Sequence, residues 1–482
     1  MVFSSLFFLY IFLPLNLILY FIMPWMTAKN AVLLLFSLFF YAWGEPIFVL
    51  IMLGTALLDY AHARFINSHR GTVAAKVSVI LAVTTDLLVL GCFKYIGFFT
   101  ENLNALPFIE LPVPDIGLPI GISFYTFQTL TYVIDVYRGK VTPQRNYFKY
   151  LLYITSYFQL VAGPIVRYEY FEKALDERKS TLDGITDGVH RFIFGLAKKV
   201  ILANSLGEIV SRYMDNGDIA AFPVLGAWMG MAAFTLQLYF DFSGYSDMAI
   251  GLGKIFGFEF PENFNYPYIS KSVSEFWRRW HITLGSFFRD YVYIPLGGNR
   301  NNVYRNLFVV WFLTGLWHGA SWNFEFWGLY NGLFIAVERF LRNGKKKEDE
   351  QSEKSTSAVK SALSHIYLLL CVNFGFVLFK FTETDRLFEY IKALFGFATR
   401  PLVSGDVAVD FANNFILFLV SVIICMPLYK VVSKLSSLLE KDSAVSVAVV
   451  GTIRIVFSLS VLVISTMLLA GNSFNPFLYF AF

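Results

Sequence analysis

The chain has 482 residues, of which 56% are hydrophobic and 18% aromatic, while only 15% are charged. A water-soluble globular protein carries more charge and fewer apolar residues, so this composition indicates an integral membrane protein. The formal net charge of +4 is too small to indicate a nucleic-acid partner, and no nucleic-acid-binding signature is visible.

Apolar segments close to the length of a bilayer-crossing helix recur along the whole chain. They predict an all-α polytopic membrane protein, a single membrane domain over residues 1–482, with about eleven spans, some too short or too interrupted to cross cleanly. The N-terminal segment lacks a basic region and a small-residue cleavage site, so we expect a retained helix and not a signal peptide. The candidate segments are residues 3–23, 31–57, 77–99, 147–166, 185–209, 221–252, 304–320, 322–342, 362–381, 412–432 and 445–470.

Two segments of mixed polarity, residues 118–137 and 270–297, are predicted to be re-entrant or to lie at the membrane interface. Irregular backbone is tolerated at membrane depth only where protein or a water-filled cavity covers it. The three cysteines lie in separate apolar segments without metal-ligand or redox spacing. We therefore expect buried thiols and no metal site.

The charged loops predict the orientation of the chain. Residues 343–360 are charged and Ser-rich, and their lysine cluster at 345–347 predicts a flexible cytoplasmic loop. The loop at 59–76 is also basic and is predicted to be cytoplasmic. The loop at 100–117 carries acidic residues without lysine or arginine, so we expect it on the outside.

The segment FWRRWHITLGSFFRDYVYIPLGGNR, residues 276–300, concentrates arginine, histidine and aromatic residues in an otherwise apolar chain. On a helix over 276–291 the aromatic residues form one face and the arginines fall mostly on the other, as in an interfacial amphipathic helix. His281 lies on or beside the aromatic face. The segment is interpreted either as a membrane anchor alone or as part of a functional site.

The arginines of this segment are candidates for binding a phosphorylated cofactor, because guanidinium pairs bidentately with phosphate. Contact with lipid headgroups is the equal alternative. The candidates are Arg278, Arg279, Arg289 and Arg300.

A second histidine, His318, lies in the apolar segment LTGLWHGASWNFEFWG, residues 313–328, and is predicted to be near the middle of a span. Ionisable residues inside a span are costly, and they are functional-site candidates by default. Apolar surroundings favour neutral imidazole, which can accept a proton. The alternative is a hydrogen bond that joins two helices.

These two segments resemble the signature region of the membrane-bound O-acyltransferase (MBOAT) superfamily, in particular its alginate O-acetylation membrane protein branch. Residues 118–139, 161–168 and 238–253 resemble the same branch, as does the N-terminal MVFSSLFFLYIFLPL. The resemblance implies a ring of helices around a central tunnel. It also implies His318 as the catalytic histidine and His281 as the second polar position of the site.

The resemblance further implies acyl transfer from a cytoplasmic thioester such as acetyl-CoA, with no permanently bound cofactor. His318 would act as general base, and His281 or Trp317 would polarise the thioester carbonyl. Trp317 and Asn323 join the four arginines as candidate donor- or tunnel-binding residues. A covalent acyl-His318 intermediate is an open alternative.

The implied setting is the bacterial cell membrane, where an extracellular esterase-like transferase would complete O-acetylation of a polysaccharide. Three alternatives stay open. One is D-alanyl transfer to teichoic acid from a carrier-protein thioester. Another is export of the glycan or of the acyl donor, and the last is a scaffold that tolerates loss of both histidines.

Overall fold

The computed structural model describes residues 1–215, 219–343, 358–397, 400–428, 444–471 and 478. Every regular element in these ranges is helical, which confirms the predicted all-α class. The chain forms two compact units. One contains residues 1–196 and 245–262, and the other contains residues 197–244 and 263–482.

Six helices in the described part of the chain are long and apolar enough to cross a membrane. This confirms a polytopic membrane protein, while the other predicted spans are shorter, broken or more polar. The six are Met26–Gly44, Phe48–Ser68, Val73–Lys94, Ala358–Lys380, Gly405–Ile424 and Ala448–Gly471.

The first unit contains eight helices of more than one or two turns among its described residues. They are α1 (Leu13–Ile22), α2 (Met26–Gly44), α3 (Phe48–Ser68), α4 (Val73–Lys94), α5 (Ile96–Asn104), α6 (Ile122–Arg138), α7 (Tyr147–Thr155) and α8 (Leu182–Ala197). A π-helical turn, Phe8–Phe12, precedes α1. Helix α6 packs against both α3 and α4, so its side chains form much of the core of this unit.

Helix α6 covers most of residues 118–137, and the prediction that this segment is re-entrant or interfacial stays a prediction. It is a regular helix, and 13 of its 17 residues are buried. Gly121 and Gly139 flank it with φ of 78° and 75°, a conformation that favours glycine. A Cβ atom on Gly121 would lie 2.6 Å from the carbonyl oxygen of Leu160. The polar residues of α6 are thus covered by protein on nearly every side.

The predicted single span at 31–57 is wrong, because the chain forms two helices there, α2 and α3. Pro46 lies between them, and proline lacks the N–H that a continuous helix needs. The predicted loop at 59–76 is also too long, since α3 continues to Ser68 and α4 begins at Val73. The predicted span at 147–166 is broken at Ser156, where ψ is 110°.

The second unit begins with a π-helical turn, Lys198–Ala203, and contains the first part of the longest helix, α10. Its helices are α9 (Asn204–Val210), α10 (Val224–Phe256), α11 (Val273–Arg279), α12 (Ile282–Phe288), α13 (Val303–His318), α14 (Trp322–Asn343), α15 (Ala358–Lys380), α16 (Thr384–Leu394), α17 (Gly405–Ile424) and α18 (Ala444–Gly471).

The predicted loop at 343–360 lies largely outside the described residues, but its ends belong to α14 and α15.

Helices α13 and α14 form a closely packed hairpin because glycines line their contact. A Cβ atom on Gly315 would lie 2.5 Å from the carbonyl oxygen of Phe324 and 3.1 Å from the Cα atom of Glu325. Gly328 abuts the carbonyl oxygen of Trp311 in the same way. Small residues allow two helix backbones to approach, and here they hold the end of α13 against the start of α14.

We expect Gly315→Ala to destabilise the protein by about 1–3 kcal/mol, because the added methyl group meets backbone atoms that cannot rotate away. Thermal unfolding of the purified protein, followed by tryptophan fluorescence, measures the change. Gly54→Ala is the matched control, since a Cβ atom there meets nothing within 4 Å. Equal melting temperatures for the two variants would show that the hairpin does not depend on this contact.

Candidate active site

The predicted continuous helix over 276–291 is wrong, because the chain leaves the helical conformation at Trp280 and His281. His281 adopts φ 45° and ψ 54°, in the left-handed region that most residues avoid. Asn263 stabilises this break, since its backbone carbonyl accepts the N–H of Ile282 at 2.9 Å. Helix α12 starts after the break and passes into a π-helical turn at Arg289–Tyr293.

The side chain of Asn263 also fixes the tautomer of His281. The backbone N–H of Thr283 donates to Asn263 Oδ1 at 3.3 Å, and the Thr283 hydroxyl donates to the same oxygen at 2.8 Å. A backbone N–H can only donate, so this atom is the amide oxygen and not the amide nitrogen. His281 Nδ1, 3.1 Å from the same oxygen, therefore carries the proton. Nε2 is left with its lone pair and has no hydrogen-bond partner among the described residues.

His281 lies outside the six membrane-spanning helices, and only 2% of its surface is exposed. Burial lowers the pKa of its imidazole to about 3, because the charged form loses its hydration. His281 is therefore neutral at physiological pH. As pH falls below about 6.5, His281 becomes protonated in the unfolded chain but stays neutral in the folded protein. Its contribution therefore lowers the free energy of unfolding in acid.

His318 is the last residue of α13, which corrects the prediction that it lies near the middle of a span. Gly319 follows it in an extended conformation, and a Cβ atom there would collide with the ring of Phe324. The His318 ring is half-buried and contacts Trp327 and Phe379, with ring centroids 4.8 Å and 5.2 Å away. The imidazole thus lies at the carbonyl end of a helix, among aromatic side chains.

Trp317 contacts both histidines. Its ring centroid lies 4.8 Å from that of His318 and 5.9 Å from that of His281. The two histidines line one small cavity of about 30 Å³, here called the histidine cavity. The lining residues are Leu238, Phe242, Trp280, His281, His318, Trp327, Phe376 and Phe379. The structure therefore brings together the two histidines and one tryptophan that the sequence singled out.

A larger cavity of about 180 Å³, the adjoining cavity, shares Trp280 and His281 with the histidine cavity. Its α13 side follows one face of that helix, from Leu307 to Thr314, and Arg289 lies among its lining residues. The full set is Trp277, Trp280, His281, Leu284, Gly285, Phe288, Arg289, Tyr293, Leu307, Val310, Trp311 and Thr314. Because Trp280 and His281 line both cavities, the two cavities lie next to each other, with His318 lining one and Arg289 lining the other.

The four candidate arginines differ in their surroundings, and only Arg289 lines a cavity. Arg279 forms an ion pair with Glu275 at 2.9 Å, and Arg289 forms one with Asp290 at 2.7 Å. Arg278 and Arg300 are exposed, and neither guanidinium forms a hydrogen bond or an ion pair with another described residue. These two are the arginines of the segment that keep their charge available.

Asn323 does not line either cavity, although the sequence made it a candidate for binding the donor. Its Nδ2 donates to the backbone carbonyl of Phe379 at 2.9 Å, so it fixes the residue whose ring packs on His318. Sequence reasoning missed Asn263, which positions His281. Asn263 lies in the loop PENFNYP, where nothing in the sequence distinguishes it from an ordinary loop residue.

A buried ion pair supports the wall of the histidine cavity. Lys199 Nζ lies 2.6 Å from Asp241 Oδ1, with 2% and 3% of the two side chains exposed. Asp241 also accepts the backbone N–H of Leu478, and it directly precedes Phe242, whose ring packs on His281 at 4.7 Å. Removing one partner of such a pair leaves a buried charge uncompensated. Asp247, on the same helix, forms an ion pair with Arg191 at 2.9 Å.

The fold and the site define a class: a multi-pass, all-α membrane protein in which two imidazoles line a cavity among apolar side chains. The family model described as MBOAT, membrane-bound O-acyltransferase family, matches residues 142–379, the range that contains both histidines. A protein named "Probable alginate O-acetylase AlgI" from Azotobacter vinelandii is 42% identical over 409 residues, which cover 82% of this chain and 78% of that protein. The chain belongs to the membrane-bound O-acyltransferase family and is a membrane O-acyltransferase.

Two further relatives act on other acceptors by name. The "Peptidoglycan O-acetyltransferase" of Helicobacter pylori is 32% identical over 431 residues, which cover 82% of this chain and 80% of that protein. The "Teichoic acid D-alanyltransferase" of Bacillus subtilis is 31% identical over 263 residues, which cover 50% of this chain and 65% of that protein. The similarity thus extends across O-acyl transfer to several cell-surface polymers.

We expect His281 to stay in the Nδ1–H form between about pH 5 and pH 8, because Asn263 accepts that proton and burial excludes the charged ring. Nitrogen-15 NMR of histidine-labelled protein in nanodiscs measures the tautomer, and the His281→Gln spectrum assigns the signal. Asn263→Ala should release the ring and mix the two tautomers. A wild-type signal that titrates near the ordinary histidine pKa would contradict the assignment.

Proposed function

We propose that the enzyme takes an acetyl group from a cytoplasmic thioester, acetyl-CoA, and passes it across the bacterial cell membrane for O-acetylation of a polysaccharide outside the cell. The relatives whose names specify O-acetylation cover more of the chain than the D-alanyl relative does. The observation that carries the proposal is the pair of neighbouring cavities that share His281, one lined by His318 and the other by Arg289.

In the proposed mechanism His318 is the general base. It takes the proton of the acceptor hydroxyl while the hydroxyl oxygen attacks the thioester carbonyl and a C–O bond forms. The tetrahedral intermediate collapses with cleavage of the C–S bond, and the departing thiolate takes the proton from His318, so no proton is gained or lost overall. The free carbonyl groups at the end of α13 stabilise the imidazolium while it carries the proton.

His281 has a different role in this mechanism, because its neutral ring presents a lone pair and not a donor to the cavity. Nε2 accepts a hydrogen bond from an acceptor hydroxyl other than the one whose proton His318 takes, and so orients the acceptor. Polarisation of the thioester carbonyl needs a donor, which leaves Trp317 of the two residues considered from the sequence. Trp317 contacts both imidazoles, although it is not among the lining residues of either cavity.

The thioester enters through the adjoining cavity, which Arg289 lines. Arg339, near the end of α14, donates to Asn299 in the turn that follows the π-helical segment, at 3.0 Å. The chain continues from α14 into the lysine cluster at 345–347, so this turn and the cluster belong to the same end of α14. Because lysine-rich loops favour the cytoplasm, Arg278 and Arg300 meet the phosphates of a cytoplasmic donor.

The acceptor proposed here is an extracellular or cell-wall polysaccharide, reached through an extracellular esterase-like partner that completes the transfer. The relatives named for alginate and peptidoglycan O-acetylation support a polysaccharide acceptor. Transfer from a carrier-protein thioester is the second candidate, favoured by the D-alanyltransferase of Bacillus subtilis.

We expect His318→Ala to lower acetyl-CoA-dependent release of CoA by about 10²- to 10⁴-fold, the usual effect of losing a general base. The assay uses purified protein in nanodiscs with its partner and radiolabelled acetyl-CoA. His365→Ala, in membrane helix α15, is the matched control and should keep wild-type activity. If the His318→Ala variant folds and releases CoA at the wild-type rate, His318 is not the general base. Turnover of a carrier-protein thioester but not of acetyl-CoA would favour the second candidate.

We expect the double variant Arg278→Gln/Arg300→Gln to raise the KM for acetyl-CoA by about tenfold, since charge-assisted contacts to phosphate contribute about 1.5–3 kcal/mol at most. The kcat should change little, because neither side chain lines the histidine cavity. Arg64→Gln, an exposed arginine of α3, is the control. A KM that does not respond to the double variant or to added salt would place the donor phosphates elsewhere.

A further inference from the structure

The first unit contains two aspartates that acyl transfer does not use, Asp59 in α3 and Asp86 in α4. Both lie near the middle of helices long and apolar enough to cross the membrane. They are 2% and 4% exposed. An ionisable group at such a position is costly and marks a functional site by default. Neither residue belongs to the unit that holds His281 and His318.

The carboxyl groups of Asp59 and Asp86 lie close enough to interact with each other, because α3 packs against α4. Because ionised carboxylates only accept hydrogen bonds, a bond between two carboxyl groups requires a proton on one of them. Thr129 of α6 donates to Asp86 Oδ2 at 2.8 Å. No lysine, arginine or histidine forms an ion pair with either aspartate among the described residues, so no cation compensates a second negative charge.

Two tyrosine hydroxyls from other helices face this pair. Tyr150 of α7 interacts electrostatically with both aspartates, and Tyr125 of α6 interacts with Asp86. Both tyrosines are buried to at least 99%, and neither hydroxyl has a hydrogen-bond partner among the described residues. The nearest histidine on α3, His62, is engaged with Ser78 of α4 at 2.9 Å. The groups facing the carboxyl pair are thus neutral.

We propose that Asp59 and Asp86 form a binding site for one exchangeable proton at mid-depth in the membrane helices of the first unit. Two contacting carboxylates in apolar surroundings repel each other strongly, and a shared proton removes that repulsion. The hydroxyls of Tyr125 and Tyr150 can accept or donate a hydrogen bond, so they provide neighbours between which the proton moves. This site is separate from the proposed acetyl transfer.

Infrared spectroscopy of the full-length protein in nanodiscs tests the proposal, because a protonated carboxylic acid has a C=O stretch distinct from that of carboxylate. The wild type should show the band of one protonated carboxyl group at neutral pH, shifted in D2O. In Asp59→Asn and Asp86→Asn the remaining aspartate loses its negative neighbour, so the band should titrate at least about one pH unit lower. The double variant should lose the band.

Two milder variants keep the test decisive where an asparagine variant fails to fold. Thr129→Val removes a donor that favours ionised Asp86, so the band should persist to higher pH. Asp247→Asn is the matched control, since Asp247 already pairs with Arg191 and should contribute no protonated band. The proposal is overturned if the wild type lacks the band at neutral pH or if Thr129→Val leaves its titration unchanged. Loss of the band on adding Na⁺ or Li⁺ at fixed pH would also overturn it and indicate a metal-cation site.

Discussion

The side-chain oxygen of Asn263 accepts hydrogen bonds from His281 and from both donors of Thr283, and the geometry of the site depends on it. This one atom stabilises the break between α11 and α12, sets the ring of His281 and decides which nitrogen faces the cavity. The backbone carbonyl of Asn263 completes the arrangement by accepting from Ile282. A loop residue thereby controls the chemistry of a histidine that follows it by 18 positions.

The low dielectric constant of the surroundings explains why the buried cations Lys199 and Arg178 have partners. Lys199 and Asp241 neutralise each other beside the histidine cavity, and Arg178 shares hydrogen bonds with Asn30 and Tyr20 in the first unit. Burying an isolated charge in such surroundings costs several kcal/mol, whereas attraction to an opposite charge offsets much of that cost. The Lys199–Asp241 pair lies next to Phe242, which lines the histidine cavity, so the shape of that cavity depends on electrostatics as well as on packing.

The sequence predicted the class of fold correctly and singled out two histidines that line one cavity, because both leave strong local signals. Long apolar segments identify membrane helices, and a histidine in an apolar segment is unusual enough to notice. The boundaries were harder to predict. Pro46 divides one predicted span, and the polar residues Asp59 and His62 resemble a loop until α6 and α7 are seen to cover them.

The roles within the site were beyond the sequence for a physical reason, since they depend on contacts between distant segments. Periodicity predicted one amphipathic helix at 276–291, and it had no means of including the hydrogen bonds from Asn263 that end it. Asn323 looked like a ligand because it is polar, yet its amide anchors Phe379, 56 residues away. Arg278 and Arg300, unlike Asn323, stay candidates for binding the donor, because neither side chain forms a hydrogen bond or an ion pair with another described residue.

The two histidines differ in environment in a way that suits a division of labour. His281 is almost fully buried, its Nδ1 proton is committed to Asn263, and its pKa is far below neutrality, so it stays an acceptor throughout. His318 is half-buried at the carbonyl end of α13, where the helix dipole favours a positive charge on the ring. A neutral histidine beside a helix end that stabilises positive charge is suited to take up a proton transiently, whereas a histidine that burial keeps neutral is suited to orient the reacting group. This asymmetry, more than the presence of two histidines, is why His318 is assigned the proton transfer.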